Sequence, residues 1–517
     1  MNSRPNILFI TTDQQRADCI GYENTTLLTP NLDALARSGA RFSNCITPSI
    51  VCQPARAAIL TGKLPLTNGV WDNGVDLDPN IGQMGMAASL AAGGYATTFI
   101  GKAHFSSKIT FAATGTPECR KSASSYPDDW FGPYMGFQHV ELAALGKFHR
   151  NRLQNNAPQI HRFESWFLGH PQALDLWQTG LSEGSGAAQT WASALPAEWH
   201  SSAWVAERTL AMLASRAVVP EHSTQEKSQP FFTWASFPDP HHPFDCPAPW
   251  NTLYDPAKMT LPLHRQLDLE RRPWWHRAAL EGTPQIADPE LAKFRAEGFK
   301  VPPQTDAQLA EMMANYYGMI SHVDYQIGRI LEGLKQAGLA ENTLIVFASD
   351  HGDMLGDHGL YLKGPMIYEG VLRVPLIISG PGIKAGTLVN SIVSTIDLAA
   401  TFMQVAELPN ISVQSRSLLP VIEGLDEHEC AWSEWYVHPA RLGVSLQLRT
   451  VRTLRYSYTF EFGSGVGELY DLREDPLELI NRFNDPTWLP VREQMHALLL
   501  ARPGELLEVL AEPVGMA

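Results

Sequence analysis

Short apolar runs, each closed by a polar cluster, set the first expectations along this chain. Ile7-Leu8-Phe9-Ile10-Thr11-Thr12 is apolar and β-rich, the pattern of a parallel strand buried on both faces. Residues 95–100, 231–237, 343–349 and 373–378 repeat it. Helical spacing fills the intervals at 29–36, 86–92, 203–214, 397–403 and, at greatest length, 308–337, with Gly338 as a C-cap. Pro54 suits the first turn of a further helix that Gly62 stops, so Cys52 is expected just ahead of a helix N-terminus. Buried strands alternating with helices predict an α/β fold. Near residue 425 the pattern changes: 444–449, 455–460 and 468–472 read as strands and 492–500 as a helix. The division expected is 1–425 and 426–517, with insertions at about 106–230 and 251–305. The first insertion is dense in tryptophan (Trp130, Trp166, Trp177, Trp191, Trp199, Trp204), which serves either packing under loops or a pocket wall. The second holds Arg271-Arg272-Pro273-Trp274-Trp275 and offers a lid or an oligomer contact.

Composition narrows the partners. A chain of 517 residues, 44% hydrophobic and 18% charged, is globular and long enough for two domains. Its net charge of −15 argues against a general nucleic-acid binder, so an anionic substrate must be met by a local positive site. No apolar run reaches membrane-spanning length, and the first residues do not read as a signal peptide. Six scattered cysteines without a pairing framework fit a reducing cytoplasm, the expected location.

The candidate chemistry stands where the strands end. Asp13-Gln14 follows the first strand, Lys102 and His104 the 95–100 strand, His241-His242 the 231–237 strand and Asp350-His351 the 343–349 strand. Ligands of open α/β sheets gather at these carboxyl ends. Each group also has a plain reading: a helix cap, a solvated lysine, a pair of loop histidines with diverging rings. Cys52 is either a buried structural cysteine or a thiol activated by the helix field. Two carboxylates, one amide and one imidazole suit a divalent cation; mostly oxygen donors fit Ca²⁺ or Mn²⁺, and the imidazole moves the preference towards Mn²⁺.

Cys52-Gln53-Pro54-Ala55-Arg56 resembles the Cys-x-Pro-x-Arg signature of type I sulfatases of the alkaline phosphatase superfamily. Thr29-Pro30-Asn31-Leu32-Asp33-Ala34-Leu35-Ala36, Gly101-Lys102-Ala103-His104, Pro240-His241-His242-Pro243 and Leu362-Lys363-Gly364 also resemble that family, and they fall in its order. The resemblance implies a large mixed β-sheet sandwiched by helices, with a small C-terminal antiparallel-sheet domain carrying one helix. It implies that Cys52 is converted to formylglycine by a formylglycine-generating system, the aldehyde hydrating to supply an oxygen nucleophile. By the same resemblance, one divalent metal is held by Asp13, Gln14, Asp350 and His351 together with residue 52. Arg56 is to steady the diol and the bound anion, while Lys102 and Lys363 hold the substrate's anionic oxygens. His241 serves the leaving group, His104 takes a proton from the remaining hydroxyl, and Asn73 offers its amide to the substrate. The substrate implied is a small sulfate ester, favoured among aryl sulfates, with phosphonate monoesters and phosphodiesters as secondary or alternative main substrates. Asp-Gln with Asp-His is similar to the phosphonate monoester hydrolase and choline sulfatase branches, whereas Lys102 with His104 is similar to sulfatases. A homo-oligomer is implied, with Trp274-Trp275 or the C-terminal tail as its contact. A metal-binding protein without turnover is the reading from another class, and a phosphomutase is disfavoured because it needs a Ser or Thr nucleophile and two metals.

Overall fold

The structure, a computed structural model, describes residues 4–144, 157–179, 184–217, 229–289, 291–293, 295 and 301–516. Parts of both insertions therefore lie outside the described residues.

The Asn6–Thr12 strand is the middle of a mixed sheet. It pairs in parallel with Phe231–Ser236 on one side and Thr343–Ser349 on the other. Beyond Phe231–Ser236 lie Ala96–Gly101 and His139–Leu142, both parallel to it. On the other side Leu376–Ser379 runs antiparallel, followed by Ala40–Ile46 and Thr387–Ser394. Alternation along the central strand divides the core. Ile7 and Phe9 pack with Ala57, Leu60, Leu90 and Phe402, and Leu8 and Ile10 pack with Leu32, Trp204, Val323 and Ile327. Both faces are thus covered by helices, which is why the strands lack an apolar–polar alternation.

The long helix runs Asp306–Gln336, opened by a capping box in which Thr305 and Gln308 exchange bonds. The helix that carries Cys52 is Cys52–Thr61, so Cys52 is its first residue and not the residue ahead of it. Extended Val51 is the cap and offers no side chain; the N–H of Gln53 instead donates to Asn73 Oδ1 at 3.0 Å. Gly62 closes the helix in the left-handed conformation, with φ 64°.

A second sheet is antiparallel and four-stranded: Ala431–Val437, Leu446–Arg452, Tyr456–Glu461, Val466–Asp471. The helix Leu489–Leu500 packs on it through Met495 and Leu499. Its inner face joins Trp435, Leu448 and Tyr470 to Ile50, Val51 and Val371 of the larger part.

Trp275 fills the same seam, fully buried, with its indole N–H on Pro365 C=O. The expectation that Trp274-Trp275 forms an oligomer contact fails for Trp275, whose apolar surface is spent inside the chain. The tail is bonded to the body of the chain through its backbone, Leu507 N–H to Leu66 C=O, Val514 N–H to Gly74 C=O and Met516 N–H to Ile109 C=O, while the side chains of Leu507 and Val509 stay exposed. Trp177, Trp191 and Trp204 pack in the core, which gives those three a packing role. Among the described residues, no helix is long and apolar enough to cross a membrane.

Candidate active site

Four adjacent parallel strands end on one edge of the sheet, and register brings their next residues together. Gly101 lies opposite Ser236, Ser236 opposite Thr11, and Thr12 opposite Ser349. The chain that leaves these positions supplies Asp13, Lys102, His241 and Asp350. The Cys52 helix points its N-terminus at the same edge.

Asp13, Cys52, Asp350 and His351 each present a donor atom, all within 4.8 Å of one another and all buried. The structure carries residue 52 as cysteine, and its Sγ lies among these donor atoms. His351 Nε2 lies 3.0 Å from Sγ, Lys363 Nζ 2.8 Å and Asp13 Oδ1 3.6 Å. His351 Nδ1 sits 2.8 Å from Gly352 C=O, which can only accept, so Nδ1 carries the proton and Nε2 turns its lone pair inward. Asp350 is oriented by the N–H groups of Gln14 (3.1 Å) and His351 (2.8 Å) and by Arg56 Nε (2.8 Å). Gln14 donates its amide to Asp353 at 2.5 Å and so turns Oε1 towards Lys363, 3.2 Å away.

Buried carboxylates side by side demand positive charge. Lys102 forms an ion pair with Asp13, and Arg56 lies 3.5 Å from it. Burial raises the Asp13 pKa, but the charges of Lys102, Arg56 and Lys363 outweigh it and hold the carboxylate ionised. Burial and Asp13 push the Cys52 thiol up; Lys102 and Lys363 prevail and bring it well below the usual thiol range. Two carboxylates, an inward amide oxygen and an imidazole with its lone pair inward fit a divalent cation.

Arg56 is anchored by the strand ends around the cluster. It is fully buried, with Nε on Asp350 and Nη1 on Lys102 C=O (2.6 Å) and Ser236 Oγ (2.8 Å). It braces a carboxylate of the buried cluster and two strand ends. Asn73 accepts from the Cys52 helix through Oδ1, a capping contact, next to Gly74 at φ 98°. His104 is buried with neither ring nitrogen hydrogen-bonded, and burial lowers its pKa to about 4, so the ring is a neutral acceptor beside Cys52. The adjacent histidines do not diverge: their rings stack at 4.1 Å between centroids. His241 Nδ1 lies 2.5 Å from His242 C=O, which fixes the proton there and leaves Nε2 facing Lys363 at 3.3 Å.

The Sulfatase family profile matches residues 5–408. The chain belongs to the sulfatase family. A profile described as N-sulphoglucosamine sulphohydrolase, C-terminal, matches residues 356–503. Among relatives, this sulfatase is 29% identical to the uncharacterized sulfatase YidJ of Escherichia coli over 96% of this chain and 86% of that one. It is 28% identical to an arylsulfatase of Clostridium perfringens, over 96% and 94% of the two chains. The crystal structure of the phosphonate monoester hydrolase of Agrobacterium radiobacter superposes with a TM-score of 0.73 at 27% identity, covering 96% of this chain and 95% of that one. The protein is thus a hydrolase of the sulfatase family with an alkaline-phosphatase-like fold. Family membership implies a divalent metal and a formylglycine made from cysteine, and the buried Asp13–Cys52–Asp350–His351 cluster is compatible with both.

Sequence reasoning missed Ser236, Asp353, Glu118 and Tyr316 around this site. Asp353 stood in view within Asp350-His351-Gly352-Asp353, a second carboxylate at one strand end. Tyr316 carries no local signal; its hydroxyl reaches Gln14 C=O at 2.6 Å from the long helix.

Proposed function

We propose that this sulfatase-family protein hydrolyses aryl sulfate esters, with phosphonate monoesters and phosphate diesters as secondary substrates. The observation that carries the reading is the meeting of Cys52, the Asp13–Asp350–His351 cluster, Lys363, Lys102 and unpaired His104 at one sheet edge.

Asp13, Gln14, Asp350 and His351 would hold the metal, with Mn²⁺ preferred to Ca²⁺ because of the imidazole. When present, the metal supplies Lewis acidity and the formylglycine at position 52 supplies the oxygen nucleophile. The chain's own groups do the rest. Lys102 and Lys363 bring ammonium charge beside residue 52, where they bind the ester's anionic oxygens and offset charge that grows during displacement. Lys363 carries the transferable proton for the leaving oxygen, and His241 Nε2 orients Lys363 from the far side. His104, neutral because it is buried, accepts a proton from residue 52 after the organic group has left.

A second reading, phosphonate monoester hydrolysis as the main activity, is favoured by the Asp13-Gln14 and Asp350-His351 donor set and by the likeness to the Agrobacterium enzyme. The test is turnover of 4-nitrophenyl sulfate against 4-nitrophenyl phenylphosphonate, on protein whose residue 52 has been identified by peptide mass. A higher kcat/KM for the sulfate supports the first reading. A large preference for the phosphonate makes the second correct.

A further inference from the structure

Glu118 faces no reacting group, yet it is 1% exposed. Its carboxylate lies against the turn that follows Lys102. Oε2 accepts the N–H of His104 at 2.5 Å, and Oε1 accepts those of Phe105 at 2.9 Å and Ser106 at 3.0 Å. The Tyr134 hydroxyl donates to Oε1 at 2.8 Å, and that of Ser106 approaches it at 3.4 Å. All these donors are neutral. Successive backbone N–H groups converging on one acceptor form a nest, and here the acceptor is a carboxyl side chain of the same protein, whose pKa burial pushes up to about 7.

The nest holds an unfavourable conformation. His104 has φ 51°, the left-handed region that non-glycine residues rarely adopt. Its ring faces Cys52 and has no other side-chain or backbone partner to hold it, so the ring is aimed by its backbone. On the upstream side Lys102 C=O is pinned by Arg56 Nη1 at 2.6 Å and by Ser236 Oγ at 2.7 Å. Downstream, the Glu118 carboxylate is the anchor. Only Ala103 separates Lys102 from His104.

We propose that Glu118 is the positioning residue for His104: its carboxylate holds the left-handed turn that aims the imidazole at residue 52. This rests on the assignment of His104 as the proton acceptor. Glutamine at 118 keeps the size but turns an NH₂ towards N–H donors, so the turn loses an acceptor and relaxes.

The experiment compares wild type, E118Q, E118D, H104A and the E118Q/H104A double variant, each with residue 52 and metal content verified. E118Q is expected to lower kcat about 10- to 100-fold with KM changed by less than about twofold, the effect of a misplaced acceptor. E118D, which keeps the charge, is expected between wild type and E118Q. H104A is expected to lose about 10²- to 10⁴-fold in kcat, and adding E118Q to it is expected to cost less than about twofold more. Hydrogen exchange supplies a readout independent of turnover: amides 104–106 are expected to exchange faster in E118Q while those of Ala96–Gly101 keep their protection. The proposal is overturned by wild-type kcat in E118Q, by an equal further loss in the H104A background, or by unchanged exchange at 104–106. A wild-type protein that is oxidised at 52, metal-loaded and inactive on every ester sinks the functional reading instead. The exchange result then still decides what Glu118 holds.

Discussion

Arg56 shows how a residue can be legible while its partners are not. Its place in Cys-x-Pro-x-Arg is plain in the sequence, but Asp350, Lys102 C=O and Ser236 come to it only through the sheet. Lysine at 56 would keep one charge and lose the fork that reaches Asp350 and a carbonyl together. R56K is expected to weaken metal affinity about 10- to 100-fold, as loss of an outer-shell partner does, and to lower Tm; metal titration and calorimetry check both. C52A is the complementary case. It removes the proposed precursor of the nucleophile from a helix start whose backbone needs no cysteine. The variant is expected to stay folded and to lose turnover by at least about 10⁴-fold, read with 4-nitrophenyl sulfate. Retained turnover would end the covalent scheme. Cys52, Lys102, His241, Asp350 and Lys363 could be read because each stands in a local motif. Glu118 could not, since it lies 14 residues from His104 in a stretch without periodicity.

At the scale of elements, the strands that carry the site were the readable ones. They are buried on both faces, so their runs are uniformly apolar, whereas Ala40–Ile46, Thr387–Ser394 and Ala431–Val437 mix polar and half-exposed positions and gave no strand signal. Strand order was equally invisible, because pairing depends on crossovers and not on composition. Gly101 ends one of the readable strands at φ 111°, and a Cβ there would stand 2.0 Å from Ser236 C=O. G101A therefore meets both a hindered conformation and a backbone clash. It is expected to cost at least about 1–3 kcal/mol in urea unfolding and to displace Lys102, lowering kcat/KM. A pH effect arises in the loop nearby. His161 sits on Pro117 C=O at 2.9 Å, and burial lowers its pKa to about 4 from 6.5. The unfolded chain takes up this proton first, so the neutral ring's contribution is full above pH 6.5 and is lost as pH falls towards 4. The stability gap between wild type and H161Q is expected to shrink between pH 7.5 and pH 5, measured by urea unfolding.

The whole molecule closes on its active site through the small sheet. Trp435 Nε1 donates to Asp72 Oδ1 at 2.9 Å, and Arg441 pairs with the same oxygen at 3.0 Å. Asp72 in turn accepts the Asn73 N–H at 2.8 Å, and Asn73 Oδ1 caps the helix that begins at Cys52. A buried carboxylate supplied by the large part is thus satisfied by side chains of the small one, behind the helix that begins at Cys52. Around it Trp275, Trp435, Leu448 and Tyr470 share one apolar seam with Ile50 and Val51. Such a seam makes the two sheets stand or fall together, so a single calorimetric transition is expected. W435F separates packing from the Asp72 contact: the ring stays apolar and the indole N–H is lost, leaving a buried acceptor short of a donor. The expected cost is about 1–3 kcal/mol, with a several-fold fall in kcat/KM as the Asn73 cap loosens. Lower Tm with unchanged kcat/KM would mean that the small sheet stabilises the molecule without shaping the site. A fall in both, within one cooperative transition, would mean that catalysis in this sulfatase needs the C-terminal sheet in place.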